Sequence, residues 1–276
     1  MRRSSCAVLS VGAVLWVAVG PAWAQEEEAK RRWSNTAELA LVQTGGNAES
    51  FTFSLRDSFV WNWDKASLTS EILALRGEAT NRILVNDGGA ISETSETEVT
   101  AEQYGLSSKY DRSISERLGW YTDIAWERNE LSGIDSRFSG GAGVSYLFFE
   151  NELRRFVGEA GLGYASEKPV SGDSNEFVRG RLFGRFERKI SETSGFETEL
   201  ELLPNLEDTE DFLANFLAAV TASITSKMAL RLSYTVTYDN QPIVVVFKGD
   251  DPDEPDGTFE FESADTILSA SLVINF

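Results

Sequence analysis

The chain contains no histidine and a single cysteine, Cys6. Without imidazole it lacks the commonest general base, the usual Ser-His-Asp arrangement and the imidazole metal ligands. Cys6 falls in an N-terminal stretch that reads as a cleaved targeting segment, so the mature chain carries no thiol. It then has no disulfide, no thiolate metal site and no cysteine nucleophile. The expectation is a protein that is not an enzyme, with no catalytic residues, no metal and no cofactor. A long apolar run is also missing: Ala7 to Val19 is too short to cross a bilayer, and no other segment approaches the roughly 20 apolar residues a spanning helix needs. Basic residues are scarce, 25 Lys and Arg against 44 Asp and Glu, for a formal charge of −19. Such a surface repels nucleic acid and suits neutral or cationic solutes, or loops bridged by divalent cations.

What is present begins with an address. Arg2 and Arg3 supply a positive start, Ala7 to Val19 an apolar stretch, and Ala22-Trp23-Ala24 a small-residue cleavage site. Cleavage is expected after Ala24, which leaves 23 basic residues and a charge of about −21. The expected division is a signal peptide at 1–24, a charged lead at 25–32 and one domain over 33–276.

From Trp33 onward the sequence alternates apolar and polar residues almost without pause. The last stretch sets the pattern: Thr266, Leu268, Ala270, Leu272, Ile274 and Phe276 share one face of an extended strand that ends on an aromatic residue. Phe51 to Trp63 repeats it with Phe51, Phe53, Leu55, Phe59, Trp61 and Trp63 on one face. In Ala66 to Glu78 the facing is open, because Leu68, Ile72 and Ala74 compete with Leu73 and Leu75. Twelve strands are expected, of roughly 10 to 13 residues each, longer than the 5 to 6 usual in a soluble sandwich and close to the 9 to 11 that cross a bilayer at a tilt. Links are short at Asp64, Asp111, Glu150, Ile190 and Ser226, and longer at Thr80–Thr97, Leu131, Glu167, Asn205 and Asp239–Gly257. After a first short turn at Thr44-Gly45-Gly46-Asn47, short and long links alternate as they do in a bacterial outer-membrane barrel with both ends inside. The fold class expected is all-β, an up-and-down antiparallel transmembrane β-barrel in the cell outer membrane. Aromatic residues near strand ends (Trp61 and Trp63, Trp120 and Trp126, Tyr234 and Tyr238) fit interfacial girdles. Asp57 fits least well, since strict alternation points it at lipid and only a bulge or a place near the rim would accommodate it.

Several short stretches taken in order resemble one family of outer-membrane barrels. They are Trp33-Ser34-Asn35-Thr36-Ala37-Glu38-Leu39 with Thr44-Gly45-Gly46-Asn47, Gly140-Gly141-Ala142-Gly143-Val144-Ser145-Tyr146, Glu159-Ala160-Gly161-Leu162-Gly163-Tyr164, and the ending Ser271-Leu272-Val273-Ile274-Asn275-Phe276. The family is often called the salt-induced outer membrane proteins and has no assigned function. The resemblance implies an outer-membrane barrel and an osmotic link in expression, and no catalytic residues.

The candidate functional surface is the lumen. If Val178, Leu182 and Phe186 face lipid, then Arg179, Arg181 and Arg185 face inward in a row. If Leu200 and Leu202 face lipid, Glu197, Glu199 and Glu201 face inward on the next strand. Opposite charges on neighbouring strands pair, and Arg–carboxylate contacts are the strong kind. Glu159, Arg231, Glu127 and Asp123 extend this set. Two readings follow: the charges neutralise one another and fill a small barrel, or an unpaired remainder lines a narrow passage for small solutes or ions. In the second class of function, a non-conducting structural or interaction barrel, acidic outer loops contact lipopolysaccharide or external ligands. Asp250 to Gly257 reads as a solvated acidic loop, because it lacks the full Asp-x-Asp/Asn-x-Asp/Asn-Gly pattern of a calcium loop with its closing Glu, and its two prolines hold it open. Leu272, Ile274 and Phe276 are expected to be read by the outer-membrane assembly machinery, and the expected partners are outer-membrane lipid and lipopolysaccharide, that machinery and small solutes.

Overall fold

The computed structural model describes residues 32–45, 48–87, 90–208, 210–242, 244–247 and 257–276. The targeting segment, nearly all of the charged lead, the Gly46-Asn47 turn and most of the acidic stretch from Asp250 to Gly257 lie outside them. Alternating β-branched and aromatic residues form β1 (Trp33–Thr44), β2 (Ala48–Asn62), β3 (Ala66–Asp87), β4 (Ala90–Ser113), β5 (Leu118–Asn129), β6 (Ile134–Glu150) and β7 (Arg154–Pro169). They continue as β8 (Asn175–Lys189), β9 (Ser194–Pro204), β10 (Phe212–Ser223), β11 (Met228–Asp239), β12 (Val244–Phe247), β13 (Gly257–Glu260) and β14 (Ala264–Asn275). Twelve of these close into one antiparallel barrel, in which each strand pairs with its neighbours in the chain and β14 joins β11 to β1. β12 and β13 form a separate two-stranded hairpin in the link between β11 and β14. The closing seam is short: β1 meets β14 over four residue pairs, Thr36 to Leu39 against Leu272 to Asn275, while β14 meets β11 over eleven.

The barrel is inverted relative to a soluble domain. Its outward positions carry exposed apolar side chains such as Leu39, Ile72, Leu106, Ile124, Leu162, Leu182, Leu230 and Leu268. The most deeply buried large side chains include Tyr121, Gln103 and Glu199, all facing inward. Apolar surface on this scale is stable only against another apolar medium. At the end with the short turns, Trp33, Phe59, Trp61, Trp63, Tyr110 and Trp120 form a continuous band with successive ring centres 5.4–6.4 Å apart. At the end with the long hairpins, Trp126 meets Phe138 and Phe212 meets Tyr238. Two aromatic levels around an apolar band are what a bilayer-spanning barrel shows. Asp57 faces outward with no bulge; it lies near the short-turn rim, and its Oδ1 accepts a hydrogen bond from Asn35 Nδ2 at 2.9 Å.

Two expectations need correction. Thr80–Thr97 is not a loop: β3 and β4 run on as a paired ribbon to Asp87 and Ala90, past a register shift at Gly77/Glu78. Apolar alternation fails as a signal there because a ribbon beyond the barrel has no face to bury. Its backbone pairing and contacts such as Thr80 Oγ1 to Thr97 Oγ1 at 2.8 Å hold it instead. Likewise the long link after Asp239 contains the β12–β13 hairpin. The open facing of β3 resolves with Leu68, Ile72 and Ala74 outward and Leu73 and Leu75 inward, because Glu71 must share the inner face with Ser58 of β2.

The glycines of β6 and β7 bear directly on the interior. A Cβ at Gly143 would stand 2.3 Å from Ala160 O and 2.7 Å from the Tyr121 ring, and one at Gly161 would stand 2.4 Å from the Tyr121 hydroxyl. Tyr121 thus lies flat on a wall from which side chains have been removed. Gly143→Ala is expected to cost about 1–3 kcal/mol by overpacking, since backbone rather than a flexible tip is in the way. Urea unfolding in detergent micelles measures it, and an unchanged midpoint would contradict the packing described.

Candidate functional site

Alternation in β4, β5, β7, β8, β9 and β11 turns every second residue into the lumen, and many of those positions are charged. Arg181 Nη1 lies 2.5 Å from Glu159 Oε2, and its Nε lies 2.7 Å from Glu201 Oε1. Lys109 Nζ holds Glu159 and Asp111, both at 2.7 Å. Both cations lie over the Tyr121 ring, Lys109 Nζ 4.8 Å and the Arg181 guanidinium carbon 5.1 Å from its centre. Nearer the short-turn end, Arg185 stands among Glu187 at 3.2 Å, Glu197 at 3.5 Å and Glu199 at 3.0 Å. Arg231 bonds Glu197 and reaches Glu38 at 3.7 Å. Glu71 of β3, almost across the barrel from β8, is 3% exposed and close enough for its charge to act on both Arg185 and Glu199. These groups form a dry floor across the short-turn half of the lumen. Each is too costly to bury alone and is held by partners.

The long-hairpin half is hollow. A cavity of about 130 Å³ extends from Lys109, Arg181 and Glu201 up to Ser132, Ile134 and Asp265. A second, of about 250 Å³, adjoins it and shares Arg137, Arg179, Leu203, Leu213 and Asp239. The first alone is well above the volume a polar cavity needs to hold water. Its mouth is narrowed by the β5–β6 link, where Glu130–Ser132 form a single 3₁₀ turn capped by the buried Asn129, with Gly133 left-handed at φ 82°. From this turn Ser132 Oγ donates to Asp265 Oδ2 of β14 at 3.3 Å, across the lumen. Arg137 binds both Glu127, at 2.6 Å, and Glu167 at the same level.

The charged set anticipated from alternation faces the lumen throughout. Arg181, Arg185, Glu197, Glu199, Glu201, Glu159 and Arg231 belong to the floor. Arg179 does not: the glutamates of β9 end at Glu201, and beyond it Arg179 forms an isolated backbone bridge with Asn205 and lines the cavity beside Leu203. Among the described residues it makes no ion pair. Sequence reasoning passed over Lys109, Tyr121, Glu38, Glu71, Arg137 and Glu187. The signal for Lys109 and Tyr121 was available, since each alternates with an outward aromatic, Tyr110 and Trp120. Glu71 was hidden by the ambiguous facing of β3.

A model of a family described as proteins of unknown function, DUF481, matches residues 37–276. The chain belongs to that family. Among solved structures, an outer membrane channel from Pseudomonas putida F1 is 12% identical and superposes over 94% of this chain and 100% of its own, with a TM-score of 0.50. The translocator domain of the autotransporter NalP from Neisseria meningitidis is 8% identical over 91% of this chain and 90% of its own, at 0.45. The NanC porin is 11% identical over 88% and 97%, at 0.43. At these identities the likeness is one of fold: a closed outer-membrane type of barrel. No curated protein matches the chain.

Proposed function

We propose that this DUF481 protein is exported by its N-terminal segment to the outer membrane and acts there as a narrow, cation-preferring passage of low conductance. The observation that carries the proposal is the charge balance of the lumen. Five cations, Lys109, Arg137, Arg181, Arg185 and Arg231, hold nine carboxylates in ion pairs, and Arg179 adds one more cation against the further carboxylates Asp123 and Glu71. A lumen with an excess of carboxylates concentrates cations and repels anions. The hollow long-hairpin half admits small polar solutes, and the floor limits what goes further. Leu272, Ile274 and Phe276, on the outward face of the closing strand, serve as the assembly signal. Acidic links at the long-hairpin end meet lipopolysaccharide through divalent cations, and the resemblance to salt-induced barrels adds expression that rises with external salt.

The second reading, a non-conducting interaction barrel, draws on the dryness of the floor, where Glu199 is 1% exposed and Glu187 3%. Single-channel recording of the folded barrel in a planar bilayer under a potassium chloride gradient separates the two. Small steady steps with a reversal potential toward potassium are expected, with weakened preference in Glu201→Gln. Absence of steps from a demonstrably folded barrel would move the function to the outer links.

A further inference from the structure

Two neighbouring rows of the lumen wall share a plan and differ in one residue. In the first, Tyr121, Gly143, Gly161 and Arg181 stand side by side on β5, β6, β7 and β8. Tyr121 lies across the two glycines and ends against the Arg181 guanidinium. In the second row, two residues nearer the long hairpins, Asp123, Gly141, Gly163 and Arg179 occupy the same strands. Three strand spacings of about 4.8 Å separate its ends by roughly 14 Å of wall. Asp123 is too short to cover that distance. The nearest atoms to a Cβ at Gly163 are all backbone, and at Gly141 the only side-chain atom among the nearest is Asp123 Oδ1, at 3.4 Å.

The second row is therefore a bare strip between a carboxylate and a guanidinium, and both ends border the 130 Å³ cavity. Their hydrogen-bonding capacity is unspent. Among the described residues Arg179 has no ion pair, and Asp123 Oδ1 has no hydrogen-bond partner. Asn215 Oδ1, on a residue 6% exposed, and Thr237 Oγ1 are also without partners and line the same cavity from the facing wall. Buried acceptor atoms and a half-buried guanidinium left open in this way favour a solute that supplies both a negative and a donor-rich positive group.

We propose that Asp123 and Arg179 form a seat for a small amino-carboxylate zwitterion. Its carboxylate takes the Arg179 guanidinium, its ammonium group takes Asp123, and its body lies over Gly141 and Gly163 as the Tyr121 ring lies over Gly143 and Gly161. Asn215 and Thr237 accept from its remaining donors. The site rests on the passage reading only for the route by which a solute arrives.

Ligand-observed NMR titration of the folded mature barrel in detergent micelles tests the assignment, with L-alanine, propionate and ethylammonium as probes. L-alanine is expected to bind about tenfold more tightly than either singly charged probe, the discrimination of one added ion pair near 1.4 kcal/mol. Arg179→Gln and Asp123→Asn each remove that advantage. Asp123→Tyr places on the second row the residue type that fills the first, and is expected to abolish L-alanine binding while the barrel keeps its fold. Equal binding of propionate and L-alanine, L-alanine binding that survives Asp123→Tyr, or no binding to the folded wild type would overturn the site. Because binding is read without current, a barrel that binds L-alanine and shows no conductance would defeat the passage reading and leave the site standing.

Discussion

Replacing Arg185 with alanine is expected to destabilise the barrel by about 3–5 kcal/mol, the largest effect on stability of any single lumen substitution proposed for it. Arg185 is 5% exposed and lies within 3.5 Å of carboxylate oxygens from Glu187, Glu197 and Glu199, with Glu71 near on the opposite wall. Removing the guanidinium leaves mutually repelling carboxylates in a space with little water, and desolvation then has nothing to offset it. Urea unfolding in detergent micelles, followed by tryptophan fluorescence, measures the loss. Because the cost comes from stranded carboxylates, Arg185→Ala combined with Glu199→Ala should recover part of it, a non-additivity that independent sites do not show. Additive losses would mean that the two side chains do not act as a unit. If Arg185→Ala does not fold, Arg185→Lys tests the same point, since a point charge keeps the neutralisation and gives up the forked geometry.

How legible this arrangement is in the sequence depends on which constraint writes each residue. A strand between lipid and lumen must alternate, so strand count, facing and the inward rows of β8 and β9 follow from period alone. β8 shows it cleanly: Val178, Leu182 and Phe186 outward leave Arg179, Arg181 and Arg185 nowhere to go but inward. The β3–β4 ribbon escapes the rule because it stands beyond the barrel and answers to backbone pairing. β3 within the barrel blurs it, since Leu73 and Leu75 are apolar residues facing a polar lumen. What period cannot supply is which charges meet across the barrel. The pairing of Lys109 with Glu159, fifty residues and three strands away, depends on the barrel's curvature and on Tyr121 beneath Lys109 and Arg181. Glycines 141, 143, 161 and 163 are visible as a cluster, yet only the register places two of them under a tyrosine and two beside an aspartate.

Tyr121 holds the floor closed, and Tyr121→Ala is expected to raise single-channel conductance several-fold. The side chain is 1% exposed and fills the lumen beside Lys109 and Arg181, which are also the lower boundary of the hollow half. Truncation removes the ring from over Gly143 and Gly161 and opens a cavity bounded by charge, and a polar cavity of that size fills with water. Water there joins the upper chamber to the level of Arg185 and Glu199. Cation preference should persist, because the carboxylates that set it remain, and stability should fall by less than the 3–5 kcal/mol typical of a large aromatic truncated in a dry core. Planar-bilayer recording of Tyr121→Ala beside Tyr121→Phe reads both effects: the phenylalanine keeps the ring and should keep the low conductance. A Tyr121→Ala barrel that loses stability without gaining conductance would place the constriction lower, among Arg185, Glu197 and Arg231, where Arg231→Ala becomes the substitution that opens the lumen.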